Sequence, residues 1–213
     1  MTISEDSGTA RPFDAVLCDI DNVIRFYDTT RLTELEHRAG LPEGTTWKVA
    51  FAPERDGPLM VGRITTDQWV ESVTEAMADG HGLSAERARE LATAMAKAPF
   101  SADGAVLSAL GEARAAGLAL VLVTNATLDL EDDLETMGLS GFADHVVSSA
   151  RVGVAKPDRE IYEIAVERAG TAPGRCLFVD DRRENVEAAE ALGMTGVHYR
   201  GPADLRSALA FLN

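Results

Sequence analysis

Two pairs of aspartates follow directly on short apolar runs. The run AVLC leads into Asp19 and Asp21, and the run CLFV leads into Asp180 and Asp181. A buried carboxylate must be paired, hydrogen-bonded or bound to a cation. If the two runs are neighbouring parallel strands, up to four carboxylates meet at the sheet edge where α/β proteins bind ligands. That much negative charge requires a cation, and oxygen ligands of this kind suit Mg²⁺.

Three further side chains suit an anionic ligand. Thr124 and Asn125 follow the run LVLV and offer a hydroxyl and an amide that can hydrogen-bond phosphate oxygens. Lys156 is one of three lysines in an arginine-rich chain, and Pro157 follows it. Proline is favoured at the first position of a helix, so the pattern predicts that Lys156 lies near a helix start. An ammonium group there would neutralise phosphate and position a carboxylate.

Other polar and titratable groups are predicted to have ordinary roles. The pair Asp132–Asp133 is interpreted as the solvated surface of a polar helix. Cys18 and Cys176 lie in apolar runs and are predicted to be free buried thiols in a reducing compartment, too far apart for a disulfide. The histidines are predicted to lie outside the catalytic strand ends: His37, His81, His145 and His198.

Five apolar runs predict strands that are buried on both faces, because they are nearly continuous rather than alternating. These runs are Ala15–Ile20, Leu118–Thr124, His145–Ser148, Cys176–Val179 and Gly196–Tyr199. Helical patterns separate the last four runs. Such an alternation predicts an α/β fold with a parallel sheet covered by helices.

The interval between the first two strands is far longer than one crossover helix needs, and its own pattern is helical. Residues 29–97 are therefore predicted to form a small helical domain inserted into the α/β core. Residues 13–28 and 98–213 form the predicted core. The polar residues 1–12 are interpreted as a flexible tail that lacks the features of a signal peptide.

Several helix starts can be predicted within and just after the insert. Thr65 and Gln68 have the spacing of a capping box. Ser84 is a predicted N-cap within the insert, and Asp103 is a predicted N-cap for the helix that leads into the second strand. The stretch Phe51–Gly62, rich in glycine and proline, is predicted to be a loop.

Composition excludes several classes of partner. The net charge of −15 would repel nucleic acid and anionic lipid. No apolar run is long enough to cross a membrane. These features predict a cytoplasmic protein that acts on a small molecule, and they leave its oligomeric state open.

The motifs together resemble the haloacid dehalogenase (HAD) superfamily. Four segments occur in the expected order, each at a predicted strand end: DIDNV, VTN, KP and VDD. The surrounding sequence is similar to the phosphatase branch that includes the N-terminal domain of soluble epoxide hydrolase and bacterial sugar-phosphate phosphatases. The resemblance implies a Rossmann-like sheet in the order 3-2-1-4-5, with helices on both faces and a helical cap inserted after the first motif.

The resemblance also implies an activity and a set of catalytic roles. It implies a Mg²⁺-dependent phosphomonoester hydrolase acting on a small phosphorylated metabolite through an aspartyl-phosphate intermediate. Asp19 is the implied nucleophile and Asp21 the implied acid and base. Thr124 and Asn125 are implied to hold phosphate and substrate, and Lys156 to bridge Asp19 and phosphate.

The implied metal ligands are Asp19, the backbone carbonyl of Asp21, and Asp181. Asp180 is the implied close partner of the metal site, although two adjacent aspartates leave open which of them touches the ion. Asn22 departs from the family, which more often has glycine there. Because asparagine tolerates positive φ, Asn22 is predicted to replace glycine conformationally.

Three alternative functions remain open at this point. A 2-haloacid dehalogenase would use Asp19 to displace halide without a metal, but such enzymes lack the acid two residues later, so Asp21 argues against this reading. A sugar-phosphate mutase would keep all four motifs. A non-catalytic binding module on the same fold is the third alternative.

Overall fold

A computed structural model of the protein describes residues 11–212, so most of the predicted tail lies outside the described residues. The strands are, in chain order, β1 (Ala15–Cys18), β2 (Arg25–Tyr27), β3 (Phe100–Ala102), β4 (Ala119–Thr124), β5 (His145–Ser148), β6 (Cys176–Asp180) and β7 (Thr195–His198). The helices are α1 (Thr30–Arg38), α2 (Thr45–Ala50), α3 (Pro53–Met60), α4 (Thr66–His81), α5 (Ala85–Ala96), α6 (Gly104–Ala115), α7 (Leu130–Thr136), α8 (Ser149–Val152), α9 (Arg159–Ala169), α10 (Arg183–Ala191) and α11 (Pro202–Ala208).

The main sheet has five parallel strands in the order β5-β4-β1-β6-β7. In order of their appearance in this sheet the strands run 3-2-1-4-5, so the predicted topology is confirmed. The central strand β1 is fully buried because it pairs with β4 on one side and β6 on the other. All these strands point the same way, so their carboxyl ends lie at one edge.

Helices cover both faces of this sheet, as predicted. Helices α9 and α10 pack on one face, and α6 and α11 pack on the other. Alternate residues of β1 enter the two apolar cores: Val16 and Cys18 belong to one, and Ala15 and Leu17 to the other. Because both faces are covered, the strands read as continuous apolar runs.

The inserted segment carries α1 to α5 around an apolar core of its own, which includes Trp69, Val73, Met77 and Leu91. The segment is bracketed by β2 and β3, which pair antiparallel and which the sequence reading missed. The prediction of a loop over Phe51–Gly62 is wrong, because Pro53–Met60 is helical. Proline suits the first position of a helix, and burial of Leu59 against the cap core holds the segment in place.

Local signals at the helix starts are mostly confirmed. Thr65 and Gln68 form the predicted capping box, Ser84 accepts a hydrogen bond from the Arg87 backbone, and Asp103 caps α6. Lys156 lies near a helix start, as predicted, although α9 begins at Arg159 rather than at Pro157.

The two cysteines are buried free thiols, as predicted. Cys18 pairs with Val179 and Cys176 with Ala15, so the two thiols are offset by the predicted three residues. Among the helices of residues 11–212, none combines the length and apolar character needed to cross a lipid bilayer.

Candidate active site

The predicted site residues of the first and last motifs lie beside each other at the carboxyl edge of the sheet. Asp19 follows β1, and its backbone N–H donates to the carbonyl of Val179 at 2.9 Å. Asp180 ends β6, and Thr124 ends β4 on the other side of β1. Strand order reverses around β1, which is where ligands bind in open α/β sheets.

Lys156 lies at the centre of this group and is only 5% exposed. Its ammonium is 2.7 Å from Asp19 Oδ1 and 2.7 Å from Asp180 Oδ2, and it donates to the Val123 carbonyl at 3.0 Å. Three acceptors match the three protons of an ammonium group. Burial acts to lower the pKa of Lys156, but the two carboxylates outweigh burial and raise it. The lysine is therefore a charged link between two strand ends.

The Asp19 carboxyl group is held through one of its oxygens. Its Oδ1 forms the ion pair with Lys156 and accepts a hydrogen bond from the Ile20 backbone N–H at 2.7 Å. Its Oδ2 makes no hydrogen bond to any group in residues 11–212. Burial raises the pKa of Asp19 to about 7, against the opposing effect of Lys156, and the charge of Asp180 adds to the increase. A buried carboxyl group with one free oxygen is suited to nucleophilic attack or to metal binding.

The two aspartates of the last motif have different surroundings. Asp180 is fully buried, and both its oxygens accept hydrogen bonds from the Asn185 amide, one at 3.0 Å and the other at 3.1 Å. It also accepts from the Arg182 backbone at 2.8 Å and from Lys156. Asp181 is half-buried and accepts only from the Asn22 amide, at 3.1 Å, within the part of the chain that the structure describes. Asp181 therefore has more capacity left for a ligand.

The residues fit a divalent cation. One carboxylate oxygen each from Asp19, Asp180 and Asp181 lies within 4.8 Å of the others. Lys156 supplies a single positive charge to this group. Burial, and then the charge of Asp180, raise the pKa of Asp181, so the carboxylates of this group oppose each other's ionisation. An Mg²⁺ ion with oxygen ligands would relieve that repulsion.

The structure gives Asn22 two features. Its φ is 59°, and it is the one residue other than glycine with positive φ in the described part of the chain. The predicted conformational replacement of glycine is therefore confirmed. Its side-chain hydrogen bond to Asp181 was not predicted, and glycine cannot make it.

Thr124 and Asn125 are placed differently from each other. The Thr124 hydroxyl is buried and lacks a hydrogen-bond partner within residues 11–212. Such an unsatisfied group is suited to a ligand oxygen. The Asn125 amide instead engages the backbone of Lys156, donating to its carbonyl at 2.9 Å and accepting from its N–H at 2.7 Å. Asn125 thus anchors the lysine loop, and its contact with phosphate stays a prediction.

The Asp21 side chain is held by an arginine rather than by the lysine and the carboxylates just described. Its Oδ1 accepts from Arg25 Nε at 2.6 Å, and Arg25 also donates to Asp133 Oδ2 at 2.6 Å. The interpretation of Asp133 as solvated surface is therefore wrong, because the ion pair with the buried Arg25 draws it inward. Asp132, its neighbour, is exposed.

His198 lies outside the strand ends that carry the four motifs, but its ring is close to one of them. This residue ends β7, and its Nε2 lies 3.0 Å from the backbone oxygen of Asp181. The pairing of β7 with β6 sets this contact.

Sequence reasoning missed further residues around the site. Asn185 is buried in the first turn of α10, where it contacts Asp180. Asp56 of the cap has a buried oxygen without a hydrogen-bond partner in residues 11–212. Burial raises the pKa of Asp56, while the nearby charge of Arg182 opposes the increase. A polar residue four positions after the VDD motif was the available signal for Asn185, but nothing in the sequence links Asp56 to Arg182.

The cap and the core make direct contact. Thr66, at the start of α4, donates to the Asp129 carboxylate of the core. Gly62 has φ of 70°, and a Cβ atom there would lie 2.4 Å from the Ala150 carbonyl oxygen. Only glycine permits this approach of the cap backbone to α8.

Comparison with known proteins agrees with this arrangement. Residues 13–193 match the family model of haloacid dehalogenase-like hydrolases. The phosphatase MT3486 of Mycobacterium tuberculosis (strain CDC 1551 / Oshkosh) is 31% identical over 188 residues, which are 84% of this chain and 84% of that protein. The sesquiterpene phosphatase astK of Aspergillus oryzae is 36% identical over 97 residues, 45% of this chain. Bifunctional epoxide hydrolase 2 of Rattus norvegicus is 29% identical over 161 residues, 70% of this chain.

The matched segments span 50% of the length of the Aspergillus protein and 29% of the rat protein. Among solved structures, a HAD family enzyme from Bacteroides thetaiotaomicron in complex with magnesium and inorganic phosphate has a TM-score of 0.65 at 20% identity, covering 86% of this chain and 92% of that chain. The L-2-haloacid dehalogenase RSc1362 has a TM-score of 0.68 at 21% identity, covering 95% of this chain and 99% of that chain. These two structures bear on the fold alone. The family match extends over most of the chain and confirms the resemblance read from the four motifs: the protein belongs to the haloacid dehalogenase-like hydrolases.

Proposed function

We propose that this hydrolase cleaves a phosphomonoester of a small metabolite in a Mg²⁺-dependent reaction with an aspartyl-phosphate intermediate. The observation that carries the proposal is the group of three carboxylates at the carboxyl edge of the sheet, two of which pair with one buried ammonium. Such a site has a nucleophile, an excess of oxygen ligands for a cation, and an unsatisfied hydroxyl at Thr124 for a phosphate oxygen.

In the first step, Asp19 attacks the phosphorus atom in line with the leaving alcohol. The bond from Asp19 to phosphorus forms, and the bond from phosphorus to the alcohol oxygen breaks. Lys156 and the Ile20 N–H hold Oδ1 of Asp19, which leaves Oδ2 free for the attack. Asp21 donates the proton that the departing alcohol needs.

In the second step, water hydrolyses the aspartyl phosphate. Asp21 is now a carboxylate and takes a proton from the water, whose oxygen forms the new bond to phosphorus. The bond between phosphorus and Asp19 breaks, and inorganic phosphate leaves. The same side chain thus serves as acid and then as base, which restores its original protonation state.

Asp19, Asp181 and the backbone carbonyl of Asp21 are the proposed ligands of Mg²⁺. The ion would supply positive charge that offsets the repulsion between the Asp19 carboxylate and the phosphoryl oxygens. Asp180, whose oxygens are occupied by Asn185, Arg182 and Lys156, is proposed to position Lys156 rather than to bind the ion. Three oxygens already surround the Lys156 ammonium, so we assign its main role to orienting Asp19.

The names of several relatives support phosphate ester chemistry. Two of those compared above are phosphatases, one of them 31% identical over 84% of its length. The strongly negative net charge favours a small substrate over nucleic acid. The cap approaches the core at α8 and Asp129, and we propose that its side chains select the substrate.

The test is phosphate release from p-nitrophenyl phosphate with Mg²⁺ and, separately, with EDTA. Wild-type protein should turn over only with the metal, and Asp19→Asn should be inactive. Asp132→Asn is the matched control, because Asp132 is exposed and has no role in the proposed mechanism. The activity of this variant should equal that of the wild type. Halide release from 2-chloropropionate without metal would replace the proposal by the dehalogenase reading. Retention of phosphate within a phosphorylated sugar product, followed by ³¹P NMR, would indicate a mutase.

A further inference from the structure

We propose that Arg25 is a positioning residue that fixes the Asp21 carboxyl group for proton transfer, with Asp133 as its anchor. The inference rests on the proposed function, in which Asp21 is the acid and base. Neither Arg25 nor Asp133 belongs to the four motifs that carry the family resemblance. We call Asp21, Arg25 and Asp133 the Arg25 clamp.

The clamp is a two-ended contact made by one guanidinium. Arg25 Nε is 2.6 Å from Asp21 Oδ1, and one terminal nitrogen of the same group is 2.6 Å from Asp133 Oδ2. The Arg25 side chain is 3% exposed, whereas Asp21 and Asp133 are 32% and 29% exposed. Because a guanidinium is planar and rigid, hydrogen bonds at two of its nitrogens fix its orientation.

Aromatic rings of the small sheet hold the guanidinium in place. The Arg25 Cζ atom lies 5.0 Å from the centroid of Tyr27 and 5.4 Å from that of Phe100. The two rings contact each other edge to face. A cation at this distance from aromatic rings is attracted to them, more strongly where water is excluded. The clamp is therefore built on β2 and β3, the strands that join the cap to the core.

The geometry leaves the second oxygen of Asp21 for the reaction. Arg25 occupies Oδ1, and Oδ2 makes no hydrogen bond to any group in the described residues. The backbone supports the same arrangement, since the Asn22 N–H donates to the Arg25 carbonyl at 2.9 Å. A side chain held by one oxygen loses rotational freedom, so its other oxygen faces the leaving group more often.

A purely structural ion pair would tie β2 to α7 without affecting proton transfer. Substrates with different leaving groups distinguish this role from the positioning of Asp21. We would measure kcat/KM for p-nitrophenyl phosphate and for phenyl phosphate, which have nearly the same shape. Phenol has an acidity near that of the tyrosine side chain, so departing phenolate needs a proton far more than p-nitrophenolate does. The value of kcat/KM reports the first phosphoryl transfer, so the ratio of the two substrates isolates the action of the acid.

Arg25→Gln should lower the ratio of phenyl phosphate to p-nitrophenyl phosphate by about tenfold, at the low end of acid catalysis. Asp133→Asn keeps Arg25 and removes only the anchoring charge, so it should lower the ratio by roughly threefold and carries the test if Arg25→Gln fails to fold. Asp132→Asn is the matched control and should leave the ratio unchanged. Equal losses on both substrates, or no loss in either clamp variant, would overturn the inference.

The same measurements distinguish failure of the clamp from failure of the proposed function. No Mg²⁺-dependent phosphate release by the wild type would reject both. An unchanged ratio in Asp21→Asn would reject Asp21 as the acid, and the clamp with it. A lowered ratio in Asp21→Asn combined with an unchanged ratio in Arg25→Gln and Asp133→Asn would reject the clamp alone.

Discussion

Replacement of Lys156 by methionine tests the charge balance of the site. Methionine keeps much of the volume of the lysine stem but removes the ammonium. Its loss leaves Asp19 and Asp180, whose side chains are 7% and 0% exposed, without their shared cation. It also leaves the Val123 carbonyl without the hydrogen bond at 3.0 Å.

The expected destabilisation is large. Removing one partner of a buried ion pair lowers the free energy of unfolding by about 3–5 kcal/mol. In a chain of this size each kcal/mol shifts the melting temperature by about 2–4 °C. The melting temperature of Lys156→Met should therefore fall by roughly 6–20 °C in metal-free buffer. Turnover should fall by about 10²-fold or more, because Asp19 loses the group that orients it.

The loss should also depend on pH. Asp19 has a pKa of about 7 in the folded protein against an ordinary value of 3.8. Between these values the folded state binds more protons than the unfolded state, so stability falls as pH rises. Without Lys156 the repulsion between Asp19 and Asp180 grows, and the fall becomes steeper. The deficit in melting temperature should thus be larger at pH 7 than at pH 5.

Thermal denaturation followed by circular dichroism, with EDTA present, measures these effects. Lys97→Met is the matched control, because Lys97 is exposed, and this variant should melt at the same temperature as the wild type. In the double variant Lys156→Met/Asp180→Asn, one of the two opposed charges is gone, so the pH dependence should become weaker. A melting temperature for Lys156→Met within about 2 °C of wild type at pH 7 would refute the reasoning, since it corresponds to less than about 1 kcal/mol.

Three further predictions follow from the site. Asn22→Gly keeps the positive φ but loses the hydrogen bond to Asp181, so this variant should retain most of the maximal rate and need several-fold more Mg²⁺. Asn22→Val should lose about 1–2 kcal/mol of stability through backbone strain. Equal Mg²⁺ titrations of the activity of Asn22→Gly and wild type would contradict the first expectation. In rapid-quench experiments with p-nitrophenyl phosphate, Asp21→Asn should show a phosphoenzyme burst with turnover lowered about 10²-fold, and Asp19→Asn should show no burst. A burst from Asp19→Asn would exclude Asp19 as the nucleophile. Burial raises the pKa of Asp56, so its charged form opposes folding and Asp56→Asn should raise the melting temperature more at pH 7 than at pH 4; a decrease at pH 7 would show that Asp56 has a stabilising partner.

The strands of the main sheet and their parallel pairing were predictable because their signals are local, whereas the strand order was implied by the family resemblance. Strands buried on both faces must be apolar along their whole length, and parallel pairing requires the helices that separate them. The capping residues Thr65, Ser84 and Asp103 were readable for the same reason, since each acts on a backbone group two or three positions away. The positive φ of Asn22 was predictable from residue type alone.

Helix α3 and the strands β2 and β3 were not predictable in this way. Glycine and proline within Phe51–Gly62 indicate a loop locally, but the burial of Leu59 in the cap core favours a helix. Strands β2 and β3 are three residues each and are separated in sequence by the whole cap, so neither has a pattern long enough to recognise. Their pairing is a tertiary event.

The same contrast between local sequence signals and tertiary contacts applies to the site. The sequence by itself determined which polar groups follow the strands, because an aspartate at the end of a buried run has to be satisfied by something. Only the tertiary structure decided what satisfies each of them. Asp180 is occupied by Asn185 and Lys156, Asp181 is left with Asn22, and Asp21 is held by Arg25. Lys156 and Asn22 are distant in sequence from the aspartates that they contact, whereas Asn185 and Arg25 are only five and four positions away. In all four contacts the partner is fixed by how the strands, the helices and the cap pack, and residue spacing alone does not identify it.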